Sequence, residues 1–151
     1  MKTTNHKPQA WLYQMNVREY SPKRFRKDVR EGKTVKWWPT RRVRNHGKKQ
    51  IAEGHHVVFF YTWTAAKRPD LSGVRHPPGL YGIAEVTHVH WEDREFCFKV
   101  LPPSDRLKQN PLDSARIRQV QNRIRGGCPM GTMWPIEPKD YTILENEWRH
   151  F

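Results

Sequence analysis

Residues 57–89 constrain this chain more than any other stretch. VVFFY, Val57 to Tyr61, is an apolar run rich in β-branched and aromatic side chains, bounded by Gly54 before it and by a loop containing Pro69 and Gly79 after it. It is too short for a helix and apolar throughout, which predicts a strand covered on both faces. Leu80 to Val89 then carries apolar residues at 81, 83 and 89 with Val86 out of phase. That pattern predicts a second strand with a bulge or a change of face. Two such strands belong at the centre of a sheet or barrel.

Around this pair the chain reads as one domain, residues 10–151, preceded by a polar N-terminal arm, residues 1–9. A chain of 151 residues buries about 70% of its extended surface on folding, enough for a single core. Ala10 to Met15 predicts a short strand. Ser21 and Pro22 mark a helix start, with Phe25 and Val29 facing inward among Lys23, Arg24, Arg26, Lys27 and Arg30. Lys33 to Asn45 is part strand, part loop. REFCFKVLP alternates and should pair antiparallel with residues 80–89. Asp113 or Ser114 caps a helix to Arg125 with an Ile117, Val120, Ile124 stripe. TMWPI predicts a strand, and Pro138 opens a terminal helix docked by Tyr141, Leu144 and Trp148.

Charge narrows the function. Lys and Arg number 28 against 15 Asp and Glu, a formal +13, which points to a polyanionic partner, nucleic acid first. The two cysteines, Cys97 and Cys128, lie in unlike settings and suggest no disulfide framework. Nothing approaches a membrane span and MKTTNHKPQA lacks the apolar centre of a signal peptide, so a cytoplasmic protein is expected. The eight histidines include His55-His56 and His88-x-His90, neither at a familiar metal-ligand spacing; no metal, cofactor or catalytic residue is expected. His88 and His90 should share one strand face, and Glu85 within IAEV reads as structural.

Aromatics interleaved with arginines are the informative motif. A flipped or single-stranded base needs flat apolar walls, and the phosphates beside it need Arg or Lys. KWWPTRRVR supplies both: Trp37 and Trp38 as candidate walls, Arg41, Arg42 and Arg44 as phosphate contacts, with Arg116 and Arg123 on the later helix. Trp63 stands where the central strand gives way to a loop, suited to stacking or to plugging a barrel mouth.

VVFFYTWT followed by PPGLYGIAEV resembles the central signature of EVE domains, in the PUA-like group with the YTH readers of N6-methyladenine. WLYQMNVREYSPKRFRKDVREG, KWWPTRRVRN and GTMWPIEPKDY resemble the family's flanking segments in the same order, so the resemblance runs from Ala10 to Trp148. It implies an α+β fold, a PUA-like curved antiparallel β-barrel flanked by helices. It also implies a base pocket just past the central strand, at Tyr61, Thr62, Trp63 and Thr64 with Trp37 or Trp38 opposite. The expected function is a monomeric, non-enzymatic DNA- or RNA-binding module that flips a modified base, of the 5-methylcytosine, 5-hydroxymethylcytosine or N6-methyladenine class, into that pocket. The alternative is an ASCH-like RNA-processing or nuclease-associated enzyme, or the targeting partner of a modification-dependent restriction nuclease. Many EVE members carry a His-Ser-Asn-like run where this chain has TWT, and the loop to PPGLYG is longer here, which leaves the base open.

Overall fold

Alternation along β3 (His56–Tyr61) puts His56, Val58 and Phe60 on one face of the sheet and Val57, Phe59 and Tyr61 on the other. In the computed structural model Val57 to Tyr61 are all fully buried, and both faces are covered. Helix α1 (Pro22–Arg30) lies over one, with the Phe25 ring 4.7 Å from Phe59 and 6.2 Å from Phe98. Nine residues are too few for a stable isolated helix, so it is this packing that holds α1. Over the other face the Tyr141 ring meets His56 edge-on at 5.5 Å. The structure describes residues 8–15, 21–30, 35–37, 51–62, 65–90, 92, 95–102, 111–125 and 133–150.

Strands β1 (Ala10–Gln14), β2 (Val35–Trp37), β4 (Gly79–His90), β5 (Glu95–Val100) and β6 (Met133–Ile136) join β3 in a six-stranded sheet ordered β2-β5-β4-β3-β1-β6. β4 and β3 are thus central, and β5 pairs antiparallel with β4, as the sequence predicts. The sheet is mixed, however: β1 runs parallel to β3, from Ala10 beside His56 to Gln14 beside Phe60. A parallel pair needs a crossover, and α1 and β2 lie within it. β2 and β6 end the sheet and do not pair with each other among the described residues, so the ladders describe an open α+β sheet, and the expected closure into a barrel is not among them. Pro135 sits in the edge strand β6, where its missing N–H breaks no ladder. Helix α2 (Ala115–Arg125) packs on α3 (Pro138–His150) and against β4 and β6.

The predicted caps and stripes form. Ser21 Oγ accepts the Arg24 N–H at 3.2 Å, and Ser114 Oγ accepts the Ile117 N–H at 3.2 Å. Ile117 and Val120 are buried with Ile124 against the core, and Tyr141, Leu144 and Trp148 dock α3. Gln9, the last residue of the arm, hydrogen-bonds to the sheet that begins at Ala10. Its carbonyl accepts the His56 N–H at 2.9 Å, and its side-chain amide reaches the Ile136 carbonyl at 3.5 Å.

β4 bends twice. Phe59 pairs with Gly82 and Phe60 with Leu80, so Tyr81 is an extra residue; Val86 pairs with Phe98 and His88 with Cys97, so Thr87 is another. The second irregularity explains why Val86 breaks the alternation yet is buried. At the start of the strand Leu80 exchanges two backbone hydrogen bonds with Leu112, which brings that backbone close against Gly79. A Cβ on Gly79, whose φ is +135°, would lie 2.4 Å from the Leu112 carbonyl oxygen. Gly79→Ala is therefore expected to destabilise the fold by more than about 2 kcal/mol, read as a lowered urea midpoint at unchanged m.

Trp11 is fully buried, and its indole N–H donates to His55 Nδ1 at 3.1 Å. The Ala52 N–H donates to the same nitrogen at 3.1 Å, which fixes His55 as an acceptor there and thus as neutral. Burial, then the neighbouring His56, lowers the His55 pKa below 6.5. Burial is also the first cause lowering His56, with Arg149 adding to it against Glu85 and Glu145. Below pH 6.5 the unfolded chain takes up protons that the folded chain resists, so this stability is present in full above 6.5 and is lost as pH falls through the folded values. The thermal midpoint should fall on acidification from pH 7 to about 5. His55→Asn, whose Oδ1 can take the place of Nδ1, should flatten part of that fall.

Candidate nucleic-acid interface

The connection from β3 to β4, residues 62–78, crowns one end of the sheet, because Tyr61 pairs with Gly79 at its base. Its sequence contains Asp-Leu-Ser-Gly, a turn signal in which a carboxylate can bond backbone N–H groups just ahead of it. Asp70 Oδ1 accepts the Ser72 N–H at 2.8 Å, the Ser72 hydroxyl at 2.6 Å and the Val74 N–H at 2.9 Å. Oδ2 lies 2.8 Å from His76 Nε2. The Asp70 and Gly73 N–H groups close the same turn onto the Val74 and Asp70 carbonyls, with Gly73 at φ +82°. The Ser72 hydroxyl first, then His76 and Val74, hold the Asp70 pKa well below the usual carboxylate range.

This turn is joined to α1 through Tyr81. The bulge turns Tyr81 so that its hydroxyl donates to the Pro77 carbonyl at 2.5 Å, its ring meets Tyr61 edge-on at 6.4 Å, and the Arg26 guanidinium sits 4.9 Å above it. Tyr61 also meets His76 edge-on at 6.4 Å. Burial raises the pKa of both phenols, aided at Tyr61 by the Asp70 charge and opposed at Tyr81 by Arg26, so both hydroxyls stay protonated. The surface over this framework is basic. Lys23, Arg24 and Lys27 of α1 and Lys67, Arg68 and Arg75 of the loop are exposed, while the loop's one acid, Asp70, is buried.

Of the residues singled out from sequence, Tyr61 and Thr62 are buried at the base of this loop. Trp38, Arg41, Arg42, Arg44, Trp63 and Thr64 lie outside the described residues, although Trp63 and Thr64 adjoin Thr62 in the chain. Trp37 pairs with Phe96, which pairs with Val89. Gly79, the partner of Tyr61, is at the other end of β4, so the register separates the two by roughly 30 Å of extended strand. Arg116 is exposed beside a groove of about 340 Å³ shared with Ile143, Asn146, Glu147 and His150. Arg123 is held by Asp140, with Nε at 3.0 Å and Nη2 at 2.5 Å from Oδ1. On the α2–α3 side Arg123 is thus answered by an acid.

No protein-family model matches the sequence, and no curated protein matches it. Solved structures do resemble the fold. A crystal structure of a Pseudomonas putida protein aligns at a TM-score of 0.55 and 14% identity, covering 91% of this chain and 98% of its own. An NMR structure from Rhodopseudomonas palustris aligns at 0.53 and 10% identity, over 93% of this chain and 92% of that one. A crystal structure from Pseudomonas syringae aligns at 0.52 and 13% identity, covering 91% and 99%. At these identities the likeness shows a shared α+β layout and nothing of activity.

Sequence reasoning missed Arg26, Asp70, His76 and Tyr81. Asp-x-Ser-Gly was a usable signal for Asp70; Tyr81 had none, because its role depends on where the bulge falls. His88 and His90 do share a face, their rings 4.2 Å apart, with Glu53 Oε1 2.9 Å from His88 Nδ1. Among the described residues no group of three or more His, Cys, Asp or Glu could hold a metal ion, and no helix is long and apolar enough to cross a membrane.

Proposed function

We propose that the chain is a nucleic-acid-binding module that takes a modified base into an aromatic pocket at the loop end of its sheet, without catalysis of its own. The observation that carries this reading is the density of exposed cations there. Six exposed Lys and Arg on α1 and the loop stand over a turn whose single carboxylate is buried under its own hydrogen bonds. A surface so arranged attracts a polyanion. The EVE-like and PUA-like reading, with the sheet curving toward a barrel, belongs to the same proposal and rests on VVFFYTWT and PPGLYGIAEV. The solved structures support its α+β layout. In this reading Trp63 is the stacking wall, Tyr61 and Thr62 form the packed floor beneath it, and phosphates lie along Lys23, Lys27, Lys67, Arg68 and Arg75. The arginines at 41, 42, 44 and 116 extend the contact.

The test is an anisotropy titration with matched oligonucleotides carrying cytosine, 5-methylcytosine, 5-hydroxymethylcytosine, adenine or N6-methyladenine. Affinity should fall linearly in log salt, and Arg68→Ala should reduce the slope by about one unit. One modified base should bind at least about tenfold better than its parent. Trp63→Ala should lose about 1–3 kcal/mol of that binding while moving stability by less than about 1 kcal/mol. Affinity indifferent to salt, or equal for all five bases, would overturn the reading.

A further inference from the structure

The tip of the loop carries apolar side chains where solvent would be expected to select polar ones. Leu71 is 82% exposed and Val74 43% exposed, the large hydrophobics that stand out among the described residues. They sit on the turn that Asp70 clamps from inside, so the tip is held in one shape before anything binds. Lys67, Arg68 and Arg75 flank it, all exposed. A solvent-facing Leu on a rigid, cationic projection suits a partner that is negatively charged outside and apolar within. Duplex nucleic acid has that character: phosphates at the rim and stacked bases inside, which apolar wedges such as Leu can part. A lipid surface shares the charge, but binding it draws on a broader apolar face than two aliphatic side chains.

We infer that Leu71 is a wedge that enters a base step of duplex DNA or RNA, with Lys67, Arg68 and Arg75 on the flanking phosphates. The inference rests on the nucleic-acid reading above and adds how the base leaves the stack. The tip and the proposed pocket belong to one loop, residues 62–78, so the side chain that fills the gap and the site that receives the base approach together. A base in a single strand needs no such help.

Leu71→Ala touches no core residue and should fold as the parent does, which its thermal midpoint checks. Its affinity for a duplex carrying the preferred modified base should fall about tenfold or more, while affinity for the same base in a single strand changes less than about twofold. 2-Aminopurine placed beside that base should brighten when the parent binds the duplex and stay quenched with Leu71→Ala. Leu71→Met, which keeps an apolar tip of similar size, should restore most of both signals. Equal affinity of Leu71→Ala and parent for the duplex would overturn the wedge and leave the binding reading standing, as would equal losses on both forms. Leu71-dependent sedimentation with phosphatidylserine vesicles, with no duplex effect, would assign the tip to a lipid surface instead. A parent that binds no oligonucleotide would remove the underlying reading itself.

Discussion

The antiparallel pairing of β3 with β4 is the interaction on which the rest of this structure depends. Every residue from Val57 to Tyr61 is buried, as is β4 from Gly79 to Ala84. Neither strand could leave its partner without exposing two apolar faces to water, a loss of about 25 cal/mol for each Å² uncovered. The helices lean on this pair from opposite sides, Phe25 on Phe59 and Tyr141 on His56. Its one extra residue at the loop end, Tyr81, then decides what the chain does there. Because Tyr81 is outside the ladder, its ring is available to α1 and its hydroxyl to the loop.

Electrostatics divides the molecule. On the α2–α3 side the cations are answered locally: Arg118 by Asp113, Arg123 by Asp140, Arg149 by Glu145. Exposed pairs of this kind contribute little to stability, but they cancel the field that a polyanion would feel. In the loop the one acid is buried instead. Four donors surround the Asp70 carboxylate, two of them backbone N–H groups, so its charge is spent on shaping the turn rather than on the exposed lysines and arginines. One residue therefore both stiffens the loop and leaves its surface positive.

Most of the fold was legible because it rests on local rules. The apolar run, the caps at Ser21 and Ser114, the α2 stripe and the docking residues of α3 are each written within a few neighbouring positions. Long-range register is not. Nothing near Ala10 announces that it will run parallel to His56 or that Gln9 will hydrogen-bond to His56 and Ile136, since both follow from partners far along the chain. The site suffered most from this. KWWPTRRVR has the right chemistry, yet its strand portion pairs with β5 at the Val89 end of β4, away from Tyr61. Arg123 looked available in sequence because Asp140 lies on another helix.

The link from Arg26 to Tyr81 to Pro77 gives the basic end of the molecule a property that neither α1 nor the loop would have alone. A flexible cationic loop on a sheet would pay for every phosphate contact in lost freedom, and a cationic helix would have no fixed relation to the loop beside it. Here the helix is pinned through Phe25, the guanidinium lies over a ring whose backbone is in the sheet, and that ring's hydroxyl holds the loop's return to β4. Lys23, Lys27, Lys67, Arg68 and Arg75 are thus mounted on one framework. A polyanion that settles against α1 meets the Leu71 tip at a spacing set by covalent and packed structure rather than by chance, so charge brings the partner in and packing fixes where along it the apolar tip comes to bear.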